Sequence, residues 1–140
     1  MERQLDQAYI QQGIVRFGYV QMTFLGQESV WAAEAAECAD EQGAFWAYHD
    51  YLLSHQKGEN QGAFVKENLK QFAAELKLNT QAFNTCLDTG KTSAIVAKEA
   101  GFAQDLGVPS TPTFLLNGQP LVGGQTFATF QRLIDAAVKQ

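Results

Sequence analysis

The sequence predicts a helix-rich α/β fold in which a block of helices is inserted between two pieces of sheet. Three observations predict it. The run IVRFGYVQM, residues 14–22, is rich in β-branched and aromatic side chains and reads as a strand. The run TFLLNGQPLV, residues 113–122, reads as a hairpin, because Asn-Gly between apolar stretches is the strongest short turn signal. Between the two, apolar residues recur at helical spacing. A strand cannot stand alone, so 14–22 must pair within the same sheet as the hairpin. The intervening helices then form an insertion, not a separate domain.

Each element has a local reason. Residues 2–12, ERQLDQAYIQQ, place Leu5, Ala8 and Tyr9 on one helical face, and Gly13 supplies the stop. From Glu28 to Gln42 a helix carries Trp31, Ala35 and Cys38 at i, i+4 and i+7, and Gly43 breaks it. Phe45 to His55 form a helix with an aromatic stripe of Phe45, Trp46, Tyr48 and Tyr51. The polar, glycine-rich stretch 56–62 is a surface loop. Phe64, Leu69, Phe72 and Leu76 mark the next helix. Asn79 or Thr80 caps a short one through Leu87, ended by Gly90. Thr92 to Leu106 form a longer helix with Ile95, Phe102 and Leu106 on one side. After the hairpin a last helix begins at Thr126 and turns Phe127, Phe130, Ile134 and Val138 inward.

Composition narrows the function classes. At 140 residues the chain fits a single domain with a real core. Hydrophobic residues make up 46% and charged residues 18%, which argues against disorder. A net charge of −5 with no Lys/Arg cluster makes nucleic acid and anionic lipid poor partners. No apolar stretch is long enough to span a membrane, and no signal peptide is visible in these residues. No cofactor motif is present.

The two cysteines, Cys38 and Cys86, are far apart in sequence and form no C-x-x-C pair. A zinc site would have to recruit both His49 and His55, and neither cysteine has a ligand at finger-like spacing, so no metal is expected. Two readings stay open: a bridge in an oxidising compartment, or two buried thiols packing as small hydrophobes. His49 and His55 have no serine or acid at a recognisable triad spacing and read as core or surface residues.

All three prolines fall in GVPSTPTFLLNGQPLVGG, residues 107–124. The segment GVPSTPTFLLNG closely resembles the cis-proline segment of thioredoxin-fold proteins, above all the DsbA-like family. AAEAAECADEQGAFWAYHDYLL (32–53) and FNTCLDTGK (83–91) are similar to the start and the later part of that family's helical insertion. The likeness runs in order over essentially the whole chain. It implies a single DsbA-like domain over 1–140, with 1–25 and 107–140 as the thioredoxin-fold part and 28–106 as the helical insertion and connecting helix. It implies a cis bond at Pro112, with the backbone at Thr111 facing outward to hold an extended or unfolded polypeptide substrate. Proline's missing N–H is also expected to keep that edge from pairing with the wrong strand. Finally, it favours a structural Cys38–Cys86 bridge that holds the insertion together.

The family acts as protein thiol–disulfide oxidoreductases, in disulfide formation or isomerisation, through C-x-x-C at the start of the first helix. Met1–Gln12 would match the end of that helix, so the preceding strand and the C-x-x-C are expected to lie before Met1, as in a truncated chain. None of these 140 residues then takes a catalytic role, and the chain is expected to be inactive alone. The resemblance implies a periplasmic or extracytoplasmic location. Without the central strand, unpaired backbone groups cost about 1–3 kcal/mol each when buried, so a homodimer by strand exchange is expected. Two alternatives carry other consequences: a non-catalytic peptide-binding module using Thr111, Pro112 and the aromatics Phe45, Trp46 and Tyr48, and a glutathione-dependent kappa-type transferase or isomerase.

Overall fold

The computed structural model of the chain describes residues 2–139. Its elements are α1 (Glu2–Leu5), continued by a π turn at Asp6–Ile10, then α2 (Gln27–Asp40), α3 (Phe45–Ser54), α4 (Lys66–Glu75), α5 (Thr80–Thr89), α6 (Ser93–Asp105), β1 (Thr113–Leu116), β2 (Gln119–Val122) and α7 (Phe127–Val138). They fall into two compact units. One is Gln21–Ala103, and the other joins the described residues through Val20 to those from Gln104 onward.

In the second of these units the core is small and clear. Leu5, Tyr9, Phe130 and Ile134 are buried together, with Val15, Phe114, Leu116, Leu121 and Phe127 packed against them. Phe114 meets Phe130 edge-on at 4.9 Å, and the Tyr9 hydroxyl donates to Asp135 Oδ1 at 2.8 Å. Thr126 caps α7 by accepting from Thr129 N–H, as its residue type predicts. The hairpin turns at Asn117 (φ 48°) and Gly118 (φ 82°), the paired left-handed conformation of a type I′ turn.

The helical unit packs α2, α3, α4 and α5 around Tyr48, Leu69, Phe83 and Leu87, all fully buried. The buried face of α2 is mostly Ala33, Ala35, Ala36 and Ala39, and such small side chains let neighbouring helices approach closely. Asn79 caps α5 through its side chain to Ala82 N–H, and Gly90 ends it in the left-handed conformation (φ 62°). The Glu28 carboxylate accepts from Gly62 and Phe64 N–H, while Asn60 donates to Leu25 carbonyl. Those bonds pin the 56–65 loop to the start of α2. Lys66 donates to the Leu87 carbonyl near the end of α5.

Three expectations are corrected. Residues 14–22 form no strand: the described residues hold one sheet of two strands, β1 and β2, and neither pairs with 14–22. The segment alternates partly buried Val15 and Phe17 with exposed Ile14, Arg16 and Gly18, so it keeps a strand's pattern while joining no sheet. The N-terminal helix widens after Leu5, with Gln11 N–H reaching back to Asp6 carbonyl, five residues away. The α6 stripe of Ile95, Phe102 and Leu106 is expected only to share one side; that side is exposed, at 45%, 52% and 48%, and Val96 and Ala103 are the buried positions. Val138, at the end of α7, points outward instead of inward.

Candidate functional site

The stretch from Gly107 to Gly123 holds the site that the sequence singles out. Gly107 (φ 68°) lets the chain leave α6, and Val108 to Thr111 run as an irregular segment into β1. Thr111 and Pro112 are both exposed, and the peptide bond between them is cis. Thr113 Oγ1 donates to Ser110 carbonyl at 2.6 Å and so braces the bend.

Register decides which backbone groups this site offers. The pairs are Thr113 with Val122, Phe114 with Leu121, Leu115 with Pro120 and Leu116 with Gln119. In a hairpin closed by a two-residue turn, the residues flanking the turn exchange hydrogen bonds, and bonding then alternates along the ladder. Leu116 and Phe114 therefore bond to β2, and Gly123 N–H continues the ladder to Pro112 carbonyl at 2.8 Å. Thr113 and Leu115 turn their N–H and C=O groups the other way, to the open edge of β1. Among the described residues nothing pairs with that edge.

The same register corrects the expected role of Pro112. Its missing N–H lies on the β2 side of the ladder, so it does not guard the open edge. Pro120 is the guard, because it sits where its N–H would have faced outward from β2. The hairpin thus has one blunted edge and one complete edge. Its faces are also unequal. Phe114, Leu116 and Leu121 pack into the core, while Leu115 and Val122 on the other face are about half exposed, at 47% and 48%.

The cysteines lie elsewhere, in the helical unit. Cys38 of α2 and Cys86 of α5 form a disulfide across a sequence separation of 48, and the chain has no free cysteine. Both are buried in the core of that unit, and the S–S bond between them makes the bridge, of the two open readings, the one that the structure contains. The bridge uses up every cysteine in these 140 residues.

Ser54 and His55 do not form a nucleophile–base pair. His55 Nδ1 lies 2.8 Å from Tyr51 carbonyl, so it carries the proton there and cannot accept one from Ser54, 3.0 Å away. His49 is buried beside Phe45 and Trp46, with Nδ1 at 3.3 Å from Asp50. No group of three or more His, Cys, Asp or Glu residues lies close enough to hold a metal among the described residues. Tyr48, one of the aromatics of the peptide-binding alternative, is fully buried, and its hydroxyl donates to Leu69 carbonyl at 2.8 Å. It cannot line a surface groove, and burial pushes its hydroxyl pKa well up.

One acidic cluster has a pH signature. Buried Gln21 gives its backbone N–H to Glu99 Oε2 at 2.8 Å and its amide to Glu37 Oε1 at 3.0 Å. Burial raises the Glu37 pKa, the Gln21 bond lowers it, and the charges of Glu99 and Asp40 raise it again. A carboxyl whose folded pKa lies above its unfolded value holds its proton more tightly when folded. Its ionisation therefore costs stability as pH rises through that window. Glu37→Gln keeps the acceptor for Gln21 and is expected to raise the melting temperature at pH 7 but not at pH 4. Thermal melts at the two pH values check it, and an equal shift at both contradicts the assignment.

A family model described as thioredoxin matches residues 1–136. The chain belongs to the thioredoxin family. The solved structure of oxidised BdbD from Bacillus subtilis superposes with a TM-score of 0.89, covering 99% of this chain and 76% of that one, at 23% identity. That likeness is one of thioredoxin-family fold, helical insertion included. The probable disulfide bond formation protein D of Bacillus anthracis is 26% identical, over 97% of this chain and 64% of its own length. A stretch of the Na(+)/H(+) antiporter NhaA 1 of Salinispora arenicola is 36% identical over 106 residues, 76% of this chain but 16% of the antiporter. The chain therefore spans about a sixth of the antiporter relative and under two thirds of the Bacillus anthracis protein. Among the described residues of this thioredoxin-family chain, no helix is long and apolar enough to cross a membrane.

Proposed function

We propose that this chain is the scaffold and polypeptide-binding part of a thiol–disulfide oxidoreductase of the DsbA-like branch, whose reactive dithiol lies outside these 140 residues. The open edge of β1, beside exposed Thr111 and Pro112, carries this reading. Thr113 and Leu115 offer unpaired N–H and C=O groups along one line, the requirement for taking up an added strand. That strand is the one that presents the dithiol. Thr111, at its mouth, holds the extended substrate across it.

The chemistry follows from what such a dithiol does. A thiolate attacks a disulfide sulfur, a mixed disulfide forms, and a second thiolate resolves it. Cys38 and Cys86 do not serve, because their sulfurs already bridge α2 and α5 at a distance from the hairpin in sequence. The bridge itself suits an oxidising compartment, so we place the protein outside the cytoplasm. The likeness to disulfide bond formation protein D supports this reading over the glutathione-dependent alternative.

The test has two arms. The 140-residue chain alone is expected not to speed reduction of insulin by dithiothreitol above background, and turnover would refute the placement of the dithiol. It is expected to bind a labelled, reduced and unfolded polypeptide. Pro112→Ala, which frees the backbone angle that the ring fixes, should weaken that binding by about tenfold. Equal binding by wild type and variant removes the substrate role of Thr111 and Pro112.

A further inference from the structure

We propose that the Cys38–Cys86 bridge is opened from one side only, by a small peptide thiol such as glutathione that enters a recess over α5 and attacks Cys86 Sγ. The recess has a volume of about 430 Å³, and Cys86 forms part of its wall while Cys38 does not. Its other walls include Glu41, Gln81, Thr85, Thr89 and Lys91. Lys91 Nζ and Glu41 Oε1 are 2.7 Å apart in an exposed ion pair. A small peptide thiol carries both a carboxylate and an ammonium group, and can meet each charge of that pair with its opposite. Helical geometry agrees with the sidedness: Ala82, Thr85 and Thr89 line the recess with Cys86, and Ala82 and Thr89 lie four and three residues from it on the same face.

The other sulfur is placed to leave. Both cysteines are buried, Cys38 at 1% and Cys86 at 3% exposure, in one cluster with Ala35, Ala39, Tyr48 and Leu87, so the recess wall is what separates them: it includes Cys86 and not Cys38. Thr92 Oγ1 lies 3.8 Å from Cys38 Sγ and donates to Glu34 carbonyl at 3.0 Å. When the incoming thiolate bonds to Cys86 Sγ, the S–S electron pair departs on Cys38. The Thr92 hydroxyl can rotate to donate to the thiolate formed there. A second thiol then attacks the incoming thiol's sulfur, releasing its disulfide and leaving Cys86 reduced. Two small thiols are oxidised to one disulfide, and one protein disulfide becomes two thiols. Attack from the opposite side would require a nucleophile to pass through the packed core.

Single-cysteine variants isolate access from stability, because each lacks the bridge. Oxidised glutathione is expected to modify Cys86 in Cys38→Ser about tenfold faster or more than Cys38 in Cys86→Ser, at matched thiolate fraction. Equal or reversed rates overturn the proposal. Should either variant unfold, the wild-type chain provides the second measurement. Its reduction by glutathione should be independent of urea well below the unfolding transition, and slowed by Thr85→Trp, which fills the recess. A reduction rate that climbs with urea from the first addition shows opening by global unfolding instead, and overturns the one-sided route.

Discussion

Replacing both cysteines, as in Cys38→Ala with Cys86→Ala, is expected to lower stability by about 4 kcal/mol and to loosen the helical unit first. The chain-entropy model gives that figure for a bridge across a separation of 48. The effect arises in the unfolded chain, where α2 and α5 would no longer be tied together. It is large beside a total stability of ~5–15 kcal/mol. The folded state suffers little by comparison, because both side chains are small and Ala35, Ala36 and Ala39 already give α2 a close-packing face. Urea melts of the bridged chain and the double variant measure the difference. An effect below about 1 kcal/mol would mean that α2 and α5 stay associated in the unfolded chain.

The bridge adds a covalent tie to the core of the helical unit. Tyr48, Leu69, Phe83 and Leu87 are its large, fully buried side chains, with Ala35, Ala36, Ala39 and Ala73 buried among them and Trp31, Phe45, Phe64 and Phe72 packed against them. Hydrogen bonds from Thr92 to Glu34 carbonyl and from Ser93 to the Glu34 carboxylate tie the start of α6 to α2. Sequence-distant positions are held at the same place by covalent and polar links.

Helices α5 and α7 were legible because a repeat and a punctuation mark of their own bound them. Asn79 and Thr126 accept from the N–H three residues on, and Gly90 takes the left-handed conformation that ends α5, all as residue type predicts. Asn117-Gly118 closes the hairpin for the same local reason. What failed to be legible depends on partners. Residues 14–22 have the composition of a strand, but a strand exists only through a neighbour's hydrogen bonds, and composition does not supply one. Which side of β1 Pro112 faces is set by register parity, which a stretch read alone does not carry. The guarding role of Pro120 is hidden for the same reason, and emerges only when the ladder is counted outward from Asn117-Gly118. The exposed side of α6 shows the same limit. Its stripe of Ile95, Phe102 and Leu106 has the helical period, yet Val96 and Ala103, one residue along, are the ones buried.

The second large effect concerns the open edge of β1. Leu115→Pro removes the outward N–H at the middle of β1 and leaves the ladder to β2 intact, because Leu115 and Pro120 face each other at a pair without mutual hydrogen bonds. The variant is expected to fold like the wild type and to lose strand addition. Pro120→Val does the reverse. It restores an outward donor on β2, so both edges of the hairpin can accept a strand. Where the wild type can only close into a pair through β1, this variant is expected to associate without limit.

Sedimentation at low micromolar concentration therefore tests the central claim most directly: a complete, unpaired β1 edge is what this chain offers to a partner strand. The wild type is expected to sediment as a concentration-dependent dimer, Leu115→Pro as a monomer of unchanged melting temperature, and Pro120→Val as larger species. A wild type that stays a sharp monomer, indistinguishable from Leu115→Pro, would contradict it.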